Sequence, residues 1–325
     1  MRNPLKPLLQ ILRGRTNLPN KQHSYEELIA AESKKWGDHL QVEATGEWHS
    51  WLDHPQIKKH YHELSLIEGK PWQEWVKHAL GNPAARSLDL GCGSGDRSLT
   101  VFQAGSSSFI EGIDVSGDRI AEAERRRQAI GAPGKFMVGD INTISLPANQ
   151  YDLIFSGHSF HHFLKLEHVM QQVHDALTPN GLFILEEFVG PTQFQWTDEQ
   201  MQVVKSLMAL APERFRMLRW GARKDLEGRP APADVVAVSP FESIRSAEIF
   251  PLFKKYFQVD HAKSLGGTLQ HLFYNGIAHN FREDDEAANR YVQTLIEIED
   301  SLINSQFLPA DFMLLVGRRK DYQTS

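Results

Sequence analysis

The sequence contains a single cysteine, Cys92, among its 325 residues. Because a disulfide needs two thiols and structural zinc sites use several, this count excludes an internal disulfide and a multi-cysteine metal site. The chain also has no run of about eighteen apolar residues, the length that a membrane-spanning helix needs. Its formal net charge of -6 argues against general nucleic-acid binding, which requires a basic surface. We therefore expect a cytoplasmic protein without a transmembrane segment or a nucleic-acid partner.

Residues 1–15 lack acidic side chains but contain several basic and aliphatic ones. Lys6 and Pro7 interrupt the short apolar stretch and no small-residue cleavage site follows, which argues against a signal peptide. Two interpretations stay open. The one that we favour is a leader that docks on its own or a neighbouring subunit, and the other is a weak peripheral membrane contact with anionic lipid.

An apolar run passes into three alternating glycines in Leu88-Asp-Leu-Gly-Cys-Gly-Ser-Gly95, and a helix-compatible segment follows at 97–103. This pattern predicts a strand, a tight turn and a helix. Gly91, Gly93 and Gly95 lack Cβ atoms, so the turn can adopt positive φ and its backbone can lie against a ligand. The third glycine follows the second by two residues, whereas the dinucleotide fingerprint needs three. The spacing therefore favours a nucleoside ligand without a pyrophosphate.

Two later strand-like runs each end in an acidic residue, Asp114 and Asp140. A carboxylate at Asp114 can accept hydrogen bonds from both hydroxyls of a ribose. Strand-like and helix-like runs alternate from residue 83 to residue 190, which requires parallel strands with covering helices. In such α/β sheets, ligands bind beyond the carboxyl ends of the strands, where the strand order reverses.

The order and spacing of five motifs resemble those of class I S-adenosylmethionine-dependent methyltransferases: Leu88-Asp-Leu-Gly-Cys-Gly-Ser-Gly95, Gly112-Ile-Asp-Val-Ser116, Val138-Gly-Asp140, Tyr151-Asp-Leu-Ile-Phe-Ser156 and Leu177-Thr-Pro-Asn-Gly-Leu-Phe183. Ser159-Phe-His-His162 is similar to the Ser-Leu-His-His of the type 11 branch. Three later segments resemble a bacterial subgroup associated with surface-polysaccharide and glycosyl-transfer gene sets: Phe188-Val-Gly-Pro191, Gln195-Trp-Thr-Asp-Glu-Gln200 and Gly266-Gly-Thr-Leu-Gln-His271.

The resemblance implies a Rossmann-like sheet of seven strands in the order 3-2-1-4-5-7-6, with an antiparallel last strand and helices on both faces. We expect four regions along the chain. Residues 1–82 form the leader and a helical prefix, and 83–190 form the cofactor-binding core. Residues 191–245 form a helical lid or substrate insertion, and 246–325 complete the core with the last two strands.

The resemblance also implies S-adenosylmethionine as the cofactor. The glycine turn then lines its amino-acid portion, Asp89 orients its ammonium group, Asp114 binds the ribose, and Asp140 with the Ile141 backbone faces adenine. The complete set of expected cofactor contacts is Asp89, Gly91, Cys92, Gly93, Gly95, Asp114, Val115, Asp140, Ile141, Ser156 and His158. The alternative, that these acidic residues merely cap turns, is disfavoured because three matched strand ends would be a coincidence.

Methyl transfer from a sulfonium is an in-line displacement, so the protein must mainly hold the reacting atoms collinear in a dry pocket. A hydroxyl acceptor also needs a base, and histidine suits neutral pH. We expect His158 to face the pocket, and one of the adjacent His161 and His162 to pack away, since neighbours on a helix do not share a face. No helix-spaced ligand pair exists, so we expect no metal at these histidines and Glu187.

Glu186 and Glu187 interrupt the fifth predicted strand, where a carboxylate must be paired or point away from the core. We expect Glu187 to orient the acceptor or act as the base, and the alternative is a salt bridge to an arginine such as Arg245. The catalytic candidates are therefore His158, Glu187 and His161. The residues that fit a sugar-like acceptor, or that instead tie the insertion to the core, are Gln195, Trp196, Arg245, Thr268 and His271.

These observations favour a methyltransferase that acts on a small or carrier-linked acceptor, such as a lipid- or nucleotide-linked sugar, by O-methylation of a hydroxyl in polysaccharide biosynthesis. One alternative is a non-catalytic protein that binds S-adenosylmethionine or serves as a partner subunit. An NAD(P)-dependent oxidoreductase is disfavoured by the glycine spacing and by the lack of a Tyr-x-x-x-Lys pair after the fourth strand.

Overall fold

A computed structural model of the protein describes residues 24–43, 45, 47, 50–226 and 228–320. The basic segment 1–15, for which we expect subunit docking or a lipid contact, lies outside the described residues. Among the helices of the described ranges, none combines the length and the apolar character of a membrane span.

In the described part of the chain, seven strands form one sheet in the order β3-β2-β1-β4-β5-β7-β6. Strand β7 runs antiparallel to both of its neighbours, whereas the other pairs are parallel. The strands are β1 (Ser87–Leu90), β2 (Ile110–Asp114), β3 (Gly134–Val138), β4 (Tyr151–Gly157), β5 (Leu177–Phe188), β6 (Phe257–Gly266) and β7 (Phe312–Arg319). The expected strand order and the antiparallel last strand are confirmed. The order reverses between β1 and β4, which locates the ligand crevice at their carboxyl ends.

Helices precede the first strand, cover both faces of the sheet and fill the segment between β5 and β6. They are α1 (Tyr25–Glu43), α2 (Pro55–Ser65), α3 (Trp72–Ala79), α4 (Asp96–Gln103), α5 (Gly117–Ala129), α6 (Leu166–Ala176), α7 (Asp198–Leu210), α8 (Pro232–Val238), α9 (Ser246–Tyr256), α10 (Gln270–Tyr274) and α11 (Glu286–Asn304). Polar side chains start several of them: Thr197 accepts from the Gln200 amide at 3.2 Å, and Asp285 accepts from the amides of Ala287 and Ala288.

The central strands are apolar on both faces because helices cover both sides of a parallel sheet. Leu88 and Leu90 of β1 are fully buried, as is the β5 run from Leu182 to Leu185. Burying each such side chain contributes roughly 1.5–3 kcal/mol relative to leaving it exposed. At the start of β3, Gly134 has φ +141°, and a Cβ there would overlap the Ile110 carbonyl oxygen. Only glycine therefore lets β3 pair closely with β2.

Three tryptophans of the helical prefix, Trp51, Trp72 and Trp75, belong to the core on one face of the sheet. Trp72 and Trp75 pack in a cluster that also contains Phe155 of β4 and side chains from α7 and α11. Helix α1 instead reaches the cofactor side of the sheet, where Arg119 Nε of α5 donates to the Trp36 carbonyl at 2.9 Å. The prefix is thus both core and a wall over the crevice at the carboxyl edge of the sheet.

Candidate active site

A cavity of about 300 Å³ opens at the carboxyl ends of β1, β2 and β4. The expected cofactor contacts that line it are Asp89, Gly91, Cys92, Gly93, Asp114, Val115, Asp140, Ile141 and His158. Gly95 and Ser156 do not line it. A Cβ at Gly95 would meet Ala123 and Phe136, and Ser156 Oγ donates to the Leu90 carbonyl at 2.7 Å. These two predictions are corrected: both residues support the turn from behind.

The glycine turn and Asp114 are built as one unit. Gly91, Gly93 and Gly95 have φ values of +70°, +53° and +81°, which L side chains rarely adopt. Asp114 accepts from the Gly93 amide at 2.9 Å and from the Ser116 amide at 2.8 Å. Burial raises the pKa of this carboxyl group. Each carboxylate oxygen keeps a further acceptor position, so Asp114 can shape the turn and also receive hydroxyl groups.

Two other groups of the turn are deeply buried. Asp89 accepts from Ser98 Oγ at 2.7 Å, and burial raises the pKa of Asp89 to about 7. A cation placed beside this carboxyl group would favour its ionised form. Burial also raises the pKa of the Cys92 thiol, which keeps it protonated and unreactive.

Helix α1 supplies a part of the cofactor cavity that the sequence did not reveal. Tyr25 Oη donates to Asp140 Oδ2 at 2.7 Å, while Asp140 Oδ1 accepts from the Asn142 amide at 2.9 Å. Trp36 and Arg119 also line the cavity. Tyr25 and Trp36 precede the glycine turn by more than fifty residues, and no spacing rule connects them with the strand ends. The only sequence signal was the helical prefix itself.

A second cavity, of about 730 Å³, adjoins the first, and its exposed wall is mostly apolar surface. Charged and polar side chains also line it: Lys35, Glu43, Glu47, Ser50, Asp53, Lys58, Arg219, Glu242, Ser243 and Asn275. Its aromatic residues are Trp36, Trp51, Phe188, Phe194, Trp196 and Phe312, and its histidines are His39, His158, His161, His162 and His271. Trp36, Glu43, His158 and His162 line both cavities. The two cavities therefore share a boundary at the end of β4.

His158 stands at this boundary in a strained conformation. Its φ of +54° lies in the left-handed region, which costs a non-glycine residue of order 1–3 kcal/mol. Its Nε2 lies 3.6 Å from Glu186 Oε1 and 3.4 Å from Tyr61 Oη. Trp72 Nε1 donates to Glu186 Oε2 at 3.1 Å, and Arg97 Nη2 lies 3.6 Å from Glu186 Oε1. Burial opposes ionisation of Glu186, but the charges of Arg97 and His158 lower its pKa well below the usual range.

Glu187, which the sequence suggested as a base, is fully buried and faces away from both cavities. It accepts from the amides of Ser159, Phe160 and Phe188 at 2.9, 2.6 and 2.6 Å, and it lies 2.5 Å from His161 Nδ1. Its oxygens are thus used in holding the segment after β4. The prediction that Glu187 touches the acceptor is corrected, because the strand end turns this side chain inward.

His161 and His162 both line the second cavity, contrary to the expectation that one of them packs away. Their ring centroids are 4.3 Å apart. The segment Phe160–His162 forms a single 3₁₀ turn, and α6 begins only at Leu166. Glu187 holds this isolated turn, so the face rule for a continuous helix does not apply to the two imidazoles.

Of the five expected acceptor residues, Trp196 and His271 line the second cavity. The other three lie elsewhere, which corrects their assignment. Arg245 pairs with Glu167 at 2.7 Å, and so does not pair with Glu187 either. Gln195 Nε2 donates to the Pro230 carbonyl at 2.9 Å, and Thr268 Oγ1 donates to the Pro309 carbonyl at 2.6 Å. Arg245 thus ties the insertion to the core, whereas Gln195 bonds within the insertion and Thr268 within the core.

Trp196 lines the cavity but is almost fully buried, so its ring face is not open for a ligand to stack on. Its ring stacks on Phe194 with centroids 5.2 Å apart, and its Nε1 donates to Asp311 Oδ2 at 3.2 Å. Gln200 Nε2 donates to the same oxygen at 2.8 Å. Burial raises the pKa of Asp311 to about 8, against an ordinary value near 3.8.

Replacement of Asp311 by asparagine is expected to remove a pH-dependent loss of stability. Between about pH 4 and pH 8 the folded protein retains a proton that the unfolded chain releases, so the wild type loses stability as pH rises through this window. Asp311→Asn should then be more stable than the wild type at pH 9 by about 1–3 kcal/mol, with a smaller difference at pH 5. Urea unfolding at both pH values measures this. The exposed Asp284→Asn is the control, and an equal response of both variants would contradict the prediction.

Residues 82–226 match a family model described as a methyltransferase domain. The chain is 27% identical over 156 residues to a 2-phytyl-1,4-naphtoquinone methyltransferase of Nostoc, with 47% of this chain and 68% of the relative covered. It is 27% identical to a demethylmenaquinone methyltransferase of Thermus thermophilus over 36% of this chain and 53% of the relative. A solved S-adenosylmethionine dependent methyltransferase from Mesorhizobium loti aligns with 82% of this chain and 96% of its own at 16% identity and a TM-score of 0.43.

The strand order, the glycine turn with its acidic strand ends and the matched domain define a class I S-adenosylmethionine-dependent methyltransferase. The protein is therefore an enzyme, and S-adenosylmethionine is its cofactor, as the motifs predicted. The residues of the first cavity fit this group because an acidic pair, Asp89 and Asp114, lies beside backbone that only glycine can form. The resemblance to a polysaccharide-associated subgroup stays a prediction.

Proposed function

We propose that the enzyme methylates an ionisable hydroxyl of a small, predominantly apolar acceptor bound in the second cavity. The observation that carries this proposal is the aromatic lining of that cavity, which meets the cofactor cavity at His158. A pocket that is mostly apolar with a few convergent polar groups is typical of sites for lipophilic small molecules. Similar proteins include a 2-phytyl-1,4-naphtoquinone methyltransferase and a squalene methyltransferase, whose names agree with an apolar acceptor and do not bear on the hydroxyl group.

The positions of three expected contacts argue against the sugar hydroxyl that the sequence favoured. A sugar needs many hydrogen-bond partners, and buried polar groups without partners are costly. Gln195, Arg245 and Thr268, which would have supplied such partners, bond instead to protein carbonyl and carboxylate groups. Trp196 and His271 are the two expected sugar contacts that line the cavity. A sugar acceptor is therefore our second choice.

The expected division of labour follows from which side chains border each cavity. Bound S-adenosylmethionine supplies an electrophilic methyl group on its sulfonium. Asp114 and the glycine turn would hold the ribose and the amino-acid end, and Asp140 with Ile141 would border adenine. Glu186 faces His158 Nε2 and would orient the imidazole and stabilise its charge, while the other ring nitrogen, Nδ1, would receive the acceptor proton. The apolar walls would exclude water, which favours positioning of the reacting atoms.

An acceptor panel tests the proposal. Purified enzyme with S-adenosylmethionine is incubated with hydroxynaphthoquinones and alkylated phenols, and in parallel with nucleotide-linked and free sugars. We expect formation of S-adenosylhomocysteine and a methylated product, detected by mass spectrometry, with the apolar hydroxyl compounds and little with the sugars. Turnover confined to sugars would overturn the apolar acceptor in favour of the second choice.

The Asp114→Ala substitution is expected to weaken S-adenosylhomocysteine binding by roughly 1–3 kcal/mol, because hydrogen bonds to a charged acceptor are lost. Titration calorimetry measures the change. Asp118→Ala, on the exposed first turn of α5, is the matched control and should bind as the wild type does. Unchanged affinity in a folded Asp114→Ala protein would contradict the assignment of Asp114 as the residue that binds the ribose.

A further inference from the structure

His161, His162 and Glu242 converge in the wall of the second cavity, and we call them the histidine–glutamate cluster. His161 Nε2 and His162 Nε2 lie 3.6 and 4.0 Å from the same oxygen, Glu242 Oε1. One ligand atom from each residue lies within 4.8 Å of the others. Neighbouring ligands of a tetrahedral ion with bonds of about 2.1 Å lie about 3.4 Å apart, so a shift of a few tenths of an ångström in these side chains would complete the site.

The opposite nitrogen of each imidazole faces a buried carboxylate. His161 Nδ1 lies 2.5 Å from Glu187 Oε1, and His162 Nδ1 lies 3.1 Å from Glu32 Oε1. Glu32 is fixed in turn by Trp36 Nε1 and Ser239 Oγ, each at 2.7 Å. Histidines that bind metals almost always donate their other ring nitrogen to such a carboxylate or carbonyl, which directs the free nitrogen at the ion. His161 has this arrangement, whereas His162 Nδ1 lies at ion-pair distance from Glu32 without the geometry of a hydrogen bond.

The charges around the cluster are also unbalanced. Glu32, Glu187 and Glu242 bring three carboxylates into a mostly buried space. Among the described residues, Lys35 is the one lysine or arginine that pairs with any of them, through Glu242 Oε2 at 3.3 Å. Burial lowers the pKa of His161, but Glu187 and Glu242 raise it to about 10, so this imidazole shares a proton with the carboxylates. A divalent cation would take the place of that proton, and Lys35 leaves Oε1 as the oxygen directed at both histidines.

We propose that His161 Nε2, His162 Nε2 and Glu242 Oε1 bind one divalent first-row transition-metal ion, such as Zn²⁺ or Fe²⁺, in the wall of the acceptor cavity. Two imidazoles and one carboxylate suit such ions and leave coordination positions open. Sequence spacing did not reveal the site, because its ligands come from a 3₁₀ turn and from a loop eighty residues later.

The role of the ion rests on the proposed function. The acceptor oxygen would bind the ion, which lowers the pKa of its hydroxyl group. The proton passes to His158, the oxygen forms a bond to the methyl carbon, and the carbon–sulfur bond breaks with its electron pair left on sulfur as a thioether. The ion and His158 thus share the activation of the acceptor from the same cavity.

Titration of the chelator-dialysed full chain with Co²⁺, followed by its visible absorption, tests the site. We expect one Co²⁺ per chain, with competition by Zn²⁺. His162→Ala and Glu242→Gln should each lower the affinity by about 100-fold or more, and Glu32→Gln, which leaves all three ligands, by about 10–100-fold. His60→Ala is the matched control, because His60 also pairs with a carboxylate, Asp300, at 3.1 Å outside the cavity.

Each variant must keep the circular dichroism spectrum and the cooperative unfolding transition of the wild type, which shows that it is folded. Absence of stoichiometric Co²⁺ binding by the wild type, or equal binding by the folded variants, would overturn the site. Full turnover of the chelated enzyme would overturn its role in the reaction. Intact Co²⁺ binding without methylation of any acceptor in the panel would instead contradict the proposed function and leave the metal site standing.

Discussion

Replacement of His158 by alanine is expected to lower turnover by roughly 10²–10⁴-fold, the usual contribution of a general base. S-adenosylhomocysteine affinity should stay nearly unchanged, because the carboxylates that hold the cofactor are elsewhere in the cavity. His158 is the candidate because it borders both cavities and its Nε2 is directed at Glu186. Steady-state kinetics with saturating cofactor, together with calorimetry, separate the two quantities.

Two companion variants sharpen this test. Glu186→Gln keeps the shape of the side chain but removes the charge beside His158, so turnover should fall by about 10–100-fold, less than in the alanine variant. His62→Ala, on the exposed side of α2, should behave as the wild type. Near-normal turnover of His158→Ala would mean that positioning alone suffices or that another group takes the proton.

Replacement of Glu187 by alanine is expected to cost about 3–5 kcal/mol of unfolding free energy, as removal of one partner from a buried charged network does. Three backbone amides and His161 would lose their acceptor at once. Urea unfolding measures the loss. The exposed Glu199→Ala should change stability by no more than about 0.5 kcal/mol. A stable Glu187→Ala protein that lacks only turnover would restore this residue as the base.

The sequence anticipated the cofactor side of the fold because each feature there is local. A glycine without a Cβ permits the positive φ of the turn, and the Asp114 carboxylate sits where β2 ends against the amide of Gly93. Because neighbouring strands in this part of the sheet are parallel, their carboxyl ends lie at the same edge of the sheet regardless of how the helices pack. Gly95 and Ser156 were misassigned because motif membership does not say which side of a turn a residue supports.

The acceptor side was anticipated poorly because it is assembled from distant segments. The second cavity takes Trp51 from before the first strand, Phe188 from the end of β5, His271 from α10 and Phe312 from β7. No spacing rule relates such residues, and the same side chains would read as ordinary core. The sequence also could not show that Glu187 points inward, because an acidic residue at a strand end can bind either a ligand or backbone amides.

The sequence by itself therefore determined the alternation of strands and helices and the glycine turn, because strand periodicity and backbone freedom are properties of neighbouring residues. Its resemblance to class I methyltransferases implied the strand order and the cofactor. Tertiary packing decided the rest. It laid α1 across the crevice so that Trp36 lines both cavities, gathered aromatic rings into an apolar acceptor space, and turned His161 and His162 toward Glu242. Contacts between residues far apart in the chain depend on how whole elements pack, and that information is not carried by any short stretch of sequence.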